Sequence, residues 1–151
     1  MHTAVVAGAA TRDLRRAVLR PGWPCGSPMH GDDNPDAVHL AAIDDQGAVI
    51  ASCIVLPRPY PIRPDESGAW QLRGMATTPP WQGKGVGGRL LTAALDEVRG
   101  RDGRLVWCEA RTSARAFYAK HGFTAEGPEF DHAESGLPHY RMWLPLAPPA
   151  N

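Results

Sequence analysis

Cysteine is scarce and poorly spaced for chemistry of its own. Cys25, Cys53 and Cys108 are odd in number and form no Cys-x-x-Cys pair. That weighs against a disulfide framework and a zinc site, and makes a reducing cytoplasm the expected location. Net charge is missing too. Lys plus Arg and Asp plus Glu each total 16, so no broad basic face is expected for nucleic acid. No run approaches the ~18 apolar residues of a membrane-crossing helix. The start, Met1 to Ala7, lacks the basic segment and long apolar core of a signal peptide, so no membrane partner is expected. The six histidines, His2, His30, His39, His121, His132 and His139, show no tight metal spacing, and no metal is expected. No internal repeat or linker interrupts the chain. Its 151 residues suit one domain spanning 1–151.

What is present is a compact alternation of helix and strand, punctuated by fifteen prolines and sixteen glycines. Thr11 is placed to cap a short helix from Arg12 to about Leu19, with Leu14, Ala17 and Val18 on one side. Pro21 to Pro35 reads as a long loop. A hairpin follows: Val38 to Ile43, a turn at Asp44–Gly47, then Ala48 to Leu56. Pro57 to Pro64 is too proline-rich for a central strand. Trp70 to Thr77 reads as a strand. From Val86 to Val98 the apolar positions Val86, Leu90, Leu91, Ala94, Leu95 and Val98 recur at helical spacing. Arg104 to Ala110 holds the nearly continuous apolar run Leu105–Cys108, expected of a strand covered on both faces. Thr112 or Ser113 then caps a helix carrying Ala114, Phe117, Tyr118 and His121, closed by Gly122. Two strands end the pattern, about Phe123–Glu129 and His139–Leu144. The fold class is α/β, of the α+β type: a mixed sheet flanked by helices.

The segment that carries chemistry is Gln82-Gly83-Lys84-Gly85-Val86-Gly87-Gly88. Four glycines stand at the entrance to a well-patterned helix. Glycine lets the backbone approach an anion closely, and the first N–H groups of a helix have no partner within it. The helix dipole favours negative charge there, and Lys84 adds a cation. A plain strand-to-helix turn is the bland alternative. A Walker loop fails, because Lys84 is followed by Gly85 rather than Ser or Thr. The dinucleotide pattern Gly-x-Gly-x-x-Gly fits as Gly83, Gly85 and Gly88, with Glu109 about twenty residues on. Against it, Thr78–Gln82 separates the loop from its strand, and a hairpin lies upstream.

These residues resemble the GNAT superfamily of N-acetyltransferases. Its acetyl-CoA loop, Gln/Arg-x-x-Gly-x-Gly/Ala, is matched by Gln82, Gly85 and Gly87, with Pro79 ahead of it. A second family pattern, Ala-x-x-Phe-Tyr-x-x-x-Gly-Phe, is matched by Ala114, Phe117, Tyr118, Gly122 and Phe123. The closing stretch Gly136–Met142 is similar to the end of many small bacterial members. The likeness covers Trp70 to Leu144 well and the N-terminal hairpin loosely. It implies a mostly antiparallel central sheet, splayed between the family's fourth and fifth strands, here Trp70–Thr77 and Arg104–Ala110. It implies acetyl-CoA as donor, held by the main chain of Met75, Ala76 and Thr77 and by the loop from Gln82 through Gly83, Lys84, Gly85, Val86 and Gly87 to Gly88. The chain departs from the family where Met75-Ala76-Thr77 replaces an aliphatic residue followed by an acid.

The implied reaction is direct acetyl transfer to a primary amine of a small molecule or peptide, with no covalent enzyme intermediate. Cys108 is therefore read as a small buried hydrophobe rather than a nucleophile. The resemblance sets Tyr118 facing the CoA sulfur as general acid; helix packing is its competing role. Strand alternation puts Leu105, Trp107 and Glu109 on one face. Glu109 is the candidate base, acting directly or through water, and a salt bridge to Arg104 or Arg111 competes. His139 is the fallback base, though a structural role suits it better. Asp32 and Asp33 either attract a cationic amine or form a solvated turn. Trp23, Tyr60 and Trp81 form either an apolar wall for the acceptor or ordinary packing. The last strands leave room for a homodimer. A non-catalytic acyl-CoA-binding module and a dinucleotide-dependent oxidoreductase are the alternative functions.

Overall fold

A computed structural model describes residues 1–24, 29 and 34–147. The strands are β1 (His2–Val6), β2 (Val38–Ile43), β3 (Val49–Pro57), β4 (Ala69–Thr77), β5 (Leu105–Arg111), β6 (Thr124–Asp131) and β7 (Pro138–Pro145). The helices are α1 (Ala9–Leu19), α2 (Val86–Gly100) and α3 (Arg115–Lys120). Single 3₁₀ turns at Pro79–Trp81 and Thr112–Ala114 precede the last two helices. The seven strands form an open sheet in the order β1-β2-β3-β4-β5-β7-β6. The β4/β5 pair is parallel and sits in a mostly antiparallel sheet, as expected of the fold class. Its register runs from Ala69↔Leu105 to Leu72↔Cys108, and both strands continue beyond it.

The chain forms two compact units. One comprises Met1–Leu56 and Arg73–Asp96, the other Pro57–Leu72 and Glu97–Asn151. In the first, the hairpin β2/β3 turns at Gly47, whose φ of 84° only glycine adopts cheaply. Leu40, Ala41, Cys53 and Val55 are buried along it. The apolar stripe of α2 is buried as its spacing predicts, with Leu90, Leu91 and Ala94 fully enclosed. Each such leucine stabilises the fold by about 1.5–3 kcal/mol.

Two elements of this unit differ from the sequence reading. Strand β1 was not expected. It is five residues long and its pattern is irregular, so alternation gives no signal. Helix α1 starts three residues early, with Gly8 rather than Thr11 at its N-cap. Its buried residues are Thr11 and Arg15, while Ala17 is exposed and Leu14 and Val18 are half-buried. Arg15 tolerates burial because Nε donates to Thr11 Oγ1 (3.1 Å) and Nη2 to the Gly8 carbonyl (3.2 Å).

In the second unit, β5 is enclosed from Leu105 to Cys108, the continuous apolar run. Trp107 packs with Tyr60, Ala69 and Leu105 in one cluster joined by Trp143. Tyr60 stacks on Trp107 at 5.4 Å between ring centroids, and Trp107 Nε1 donates to the Arg58 carbonyl at 3.0 Å. The proline-rich stretch is thus anchored through its one aromatic ring. Strand β6 is the outer strand. Gly127 (φ 78°) and Pro128 lie where its register shifts, which suits an edge that need not donate every N–H.

Candidate functional site

In the first unit, β4 leads into the glycine loop. Gly74 has a φ of 61° inside the strand, and its carbonyl accepts a hydrogen bond from Ser52 Oγ at 3.0 Å. A left-handed residue in mid-strand bends the chain and interrupts regular pairing. Met75, Ala76 and Thr77 follow at once; Ala76 is buried, and the other two are half-buried. Gln82 turns back to this strand end: its Nε2 donates to the Thr77 carbonyl at 2.9 Å. That contact uses part of one main-chain acceptor expected for the pantetheine arm.

Gly83 (φ 76°) and Gly85 (φ 80°) both need the left-handed conformation. A Cβ at either would meet nothing within 4 Å, so both glycines border open space. The amide of Arg89 donates to the Gly85 carbonyl (3.2 Å). The N–H groups of Val86, Gly87 and Gly88 precede that bond, in the first turn of α2. Amides at the start of a helix are able to bind an anion. Lys84 lies 5.4 Å from the Trp81 ring centre and leaves the loop's own backbone uncovered.

In the second unit, Tyr118 is buried in α3. Its ring meets Phe117 edge-on at 5.1 Å and Phe123 at 5.5 Å. Packing therefore accounts for its ring, and any chemistry belongs to its hydroxyl. Glu109 is three-quarters buried on β5. Its neighbour is His132, with Nε2 3.8 Å from Oε2, where the sequence suggested a salt bridge to Arg104 or Arg111. The His132 ring stacks on His139 at 4.6 Å. His139 is buried, and its Nδ1 lies 2.8 Å from the Leu137 carbonyl. A carbonyl only accepts, so Nδ1 carries a proton and the neutral ring keeps its lone pair on Nε2. Glu109, His132 and His139 thus lie in contact, one beside the next. Sequence reasoning gave His132 no role, because its partners come from β5 and β7 at no recognisable spacing.

The thiols of Cys53 and Cys108 are buried and free. Burial pushes Cys53 up to about 12 and raises Cys108 further, so neither is a thiolate nucleophile near neutrality. Trp23 sits under Arg20, Trp81 beside Lys84, and Tyr60 against Trp107. Asp32 and Asp33 lie outside the described residues. Among those described, no group of three or more His, Cys, Asp or Glu is placed to hold a metal ion. No helix among them is long and apolar enough to cross a membrane.

A strand that ends in a glycine loop at the mouth of an amphipathic helix, within a mostly antiparallel sheet, is the arrangement that the family resemblance implies. The model of the Acetyltransferase (GNAT) domain matches residues 35–125. The chain belongs to the GNAT acetyltransferase family and is an acyltransferase. It is 30% identical over 122 residues to YitI of Bacillus subtilis, an uncharacterised N-acetyltransferase, covering 80% of each chain. Its fold is shared with a Lactobacillus plantarum protein assigned as an N-acetyltransferase (TM-score 0.79, 20% identity, 97% and 98% coverage). An aminoglycoside 6'-N-acetyltransferase complexed with coenzyme A shares it too (TM-score 0.74, 17% identity, 100% of each chain). The dinucleotide reading falls, since the chain belongs to the GNAT family and its sheet is mostly antiparallel rather than a doubly wound parallel core.

Proposed function

We propose that the chain transfers an acetyl group from acetyl-CoA directly to the primary amine of a small molecule or peptide. The observation that carries this reading is the open backbone cradle at Gly83 and Gly85, leading into the unpartnered amides of α2. Met75, Ala76 and Thr77 offer main-chain groups to the pantetheine arm, and Gln82 to Gly88 hold the pyrophosphate. Acetyl-CoA supplies the acyl group, already activated as a thioester.

The chain's own work is to move two protons. Glu109 takes one from the acceptor ammonium, leaving a nucleophilic amine. The new N–C bond replaces the C–S bond; the Tyr118 hydroxyl gives a proton to the departing thiolate, and the second proton shed by the nitrogen restores that hydroxyl. Residues 1–151 act as one acetyltransferase domain.

Thermal-shift measurements with acetyl-CoA, CoA and NAD test the donor. Stabilisation by the first two and not by NAD is expected. Thiol release with a panel of amines tests the reaction. Donor binding with no thiol release from any amine would leave a non-catalytic acyl-CoA-binding module instead.

A further inference from the structure

Resting on that acetyl-transfer reading, we propose that the acceptor is a free α-amino acid, whose ammonium meets Glu109 and whose carboxylate meets Arg141. The two residues are Cα partners in the antiparallel β5/β7 ladder. Side chains at paired positions leave the same face, within about 5 Å of each other at their Cβ atoms. Opposite charges so placed ordinarily close on one another. Here no ion pair joins them among the described residues. Glu109 turns to His132, and Arg141 lays its guanidinium over the Phe130 ring at 4.7 Å.

The other acid beside Arg141 is already taken. Glu126 pairs with Arg141 in the β6/β7 register, yet both its oxygens accept hydrogen bonds from Arg63, the shortest at 2.7 Å. Arg141 Nε is buried and has no hydrogen-bond partner. An unanswered donor on a cation is costly, more so than on a neutral group. A guanidinium that lies over an aromatic face keeps its N–H groups in its own plane, off the ring face. That geometry suits the two oxygens of a carboxylate.

A carboxylate and a guanidinium are thus held on one face and kept from neutralising each other. A ligand with an ammonium and a carboxylate on one carbon answers both. A simple amine answers Glu109 alone. A peptide N-terminus brings an uncharged amide where Arg141 needs an anion.

The test compares L-amino acids with their C-terminal amides in acetyl-CoA-dependent thiol release by the wild-type chain. Amidation lowers the amine pKa and so favours the amide intrinsically. A preference for the free acid must therefore come from the protein. At least one acid is expected to exceed its amide in kcat/KM by about tenfold or more, the worth of a charge-assisted contact. Arg141→Gln should raise KM for the acid by a similar factor and leave KM for the amide nearly unchanged; Arg141→Lys should recover part of the loss. Amides or plain amines that serve equally well in the wild type overturn the amino-acid assignment and leave acetyl transfer standing. Arg141→Gln slowing acids and amides alike also overturns it. Failure of acetyl-CoA to stabilise the chain, or of any amine to release thiol, removes the transfer reading and this assignment with it. If Arg141→Gln does not fold, the wild-type comparison decides alone.

Discussion

The side-chain amide of Gln82 donates to the Thr77 carbonyl across 2.9 Å, tying the first residue of the glycine loop to the last residue of β4. The bond lies at the surface, so its direct worth to stability is small, about 0.5–1.5 kcal/mol. Its effect on the loop should be larger. Gly83 and Gly85 lose much conformational freedom in their left-handed states, and the Gln82 tether limits what must be ordered on binding. Gln82→Ala should therefore raise KM for acetyl-CoA about three- to tenfold with kcat little changed. Steady-state kinetics at saturating acceptor check this, and an unchanged KM would reduce Gln82 to a surface contact.

Gly74, the one glycine in β4, should resist replacement. Its φ is 61°, and an added Cβ would stand 3.1 Å from Arg15 Cδ. Gly74→Ala is expected to cost about 1–3 kcal/mol in urea unfolding, combining backbone strain with crowding of a buried arginine. Gly47→Ala is the control. It shares the positive φ (84°) but meets nothing within 4 Å, so it should cost only the strain. Equal losses in the two variants would mean that the Arg15 contact is irrelevant.

The sequence was most readable where one local rule acted alone. The stripe from Val86 to Val98, the run Leu105–Cys108 and the Gly47 turn each have a single physical cause, and each lies where expected. Strand β1 has no such cause. It is a short edge whose place depends on pairing Val5 with Leu40 and its neighbours, and pairing across a loop leaves no periodic mark. The burial of Arg15 was hidden for a similar reason. Spacing assigns arginine to a solvated face, and only hydrogen bonds to Thr11 and Gly8 reverse that. In the candidate site, the glycine motif is local and stood out. The Glu109–His132–His139 group is assembled from β5, the turn after β6, and β7, so no spacing revealed it.

Arg63 makes hydrogen bonds to both Glu126 oxygens and holds that carboxyl below the usual carboxylate range. The folded chain therefore binds this proton less readily than the unfolded chain does. The pair's contribution is complete above the ordinary carboxylate pKa of about 4.3 and drains away as pH falls through the lowered value. Glu126→Gln should be less stable than wild type near neutrality. The difference should be no more than about 1 kcal/mol, because the Arg63 side chain is 37% exposed and water screens the pair. It should vanish in strong acid, where wild-type Glu126 is itself neutral. Urea unfolding at several pH values reads this directly, and a difference that grows toward low pH would contradict it.

Glu109 and the stacked histidines offer two ways to take the acceptor's proton, and substitution separates them. Glu109→Gln keeps shape and hydrogen bonding but cannot accept the proton. The acidic limb of the pH–rate profile is expected to disappear or move, with turnover down by about 10²-fold or more. If the limb survives unchanged, the lone pair of His139 Nε2 becomes the base, and His139→Gln should abolish the limb instead.

Tyr118 is where packing and chemistry are hardest to tell apart, because its ring is buried against both Phe117 and Phe123. Tyr118→Phe keeps those ring contacts and removes only the hydroxyl. The fold should lose no more than about 1 kcal/mol, the net worth of a hydrogen bond. Stabilisation by acetyl-CoA should be intact. Turnover, in contrast, should fall at least about fivefold, since a positioned general acid is worth up to 10²–10⁴ in rate. The drop should shrink with acyl donors whose thiols are more acidic, because their thiolates leave without help. That dependence on the leaving group is something a packing role does not produce. Wild-type turnover in Tyr118→Phe would leave helix packing as the whole of its role.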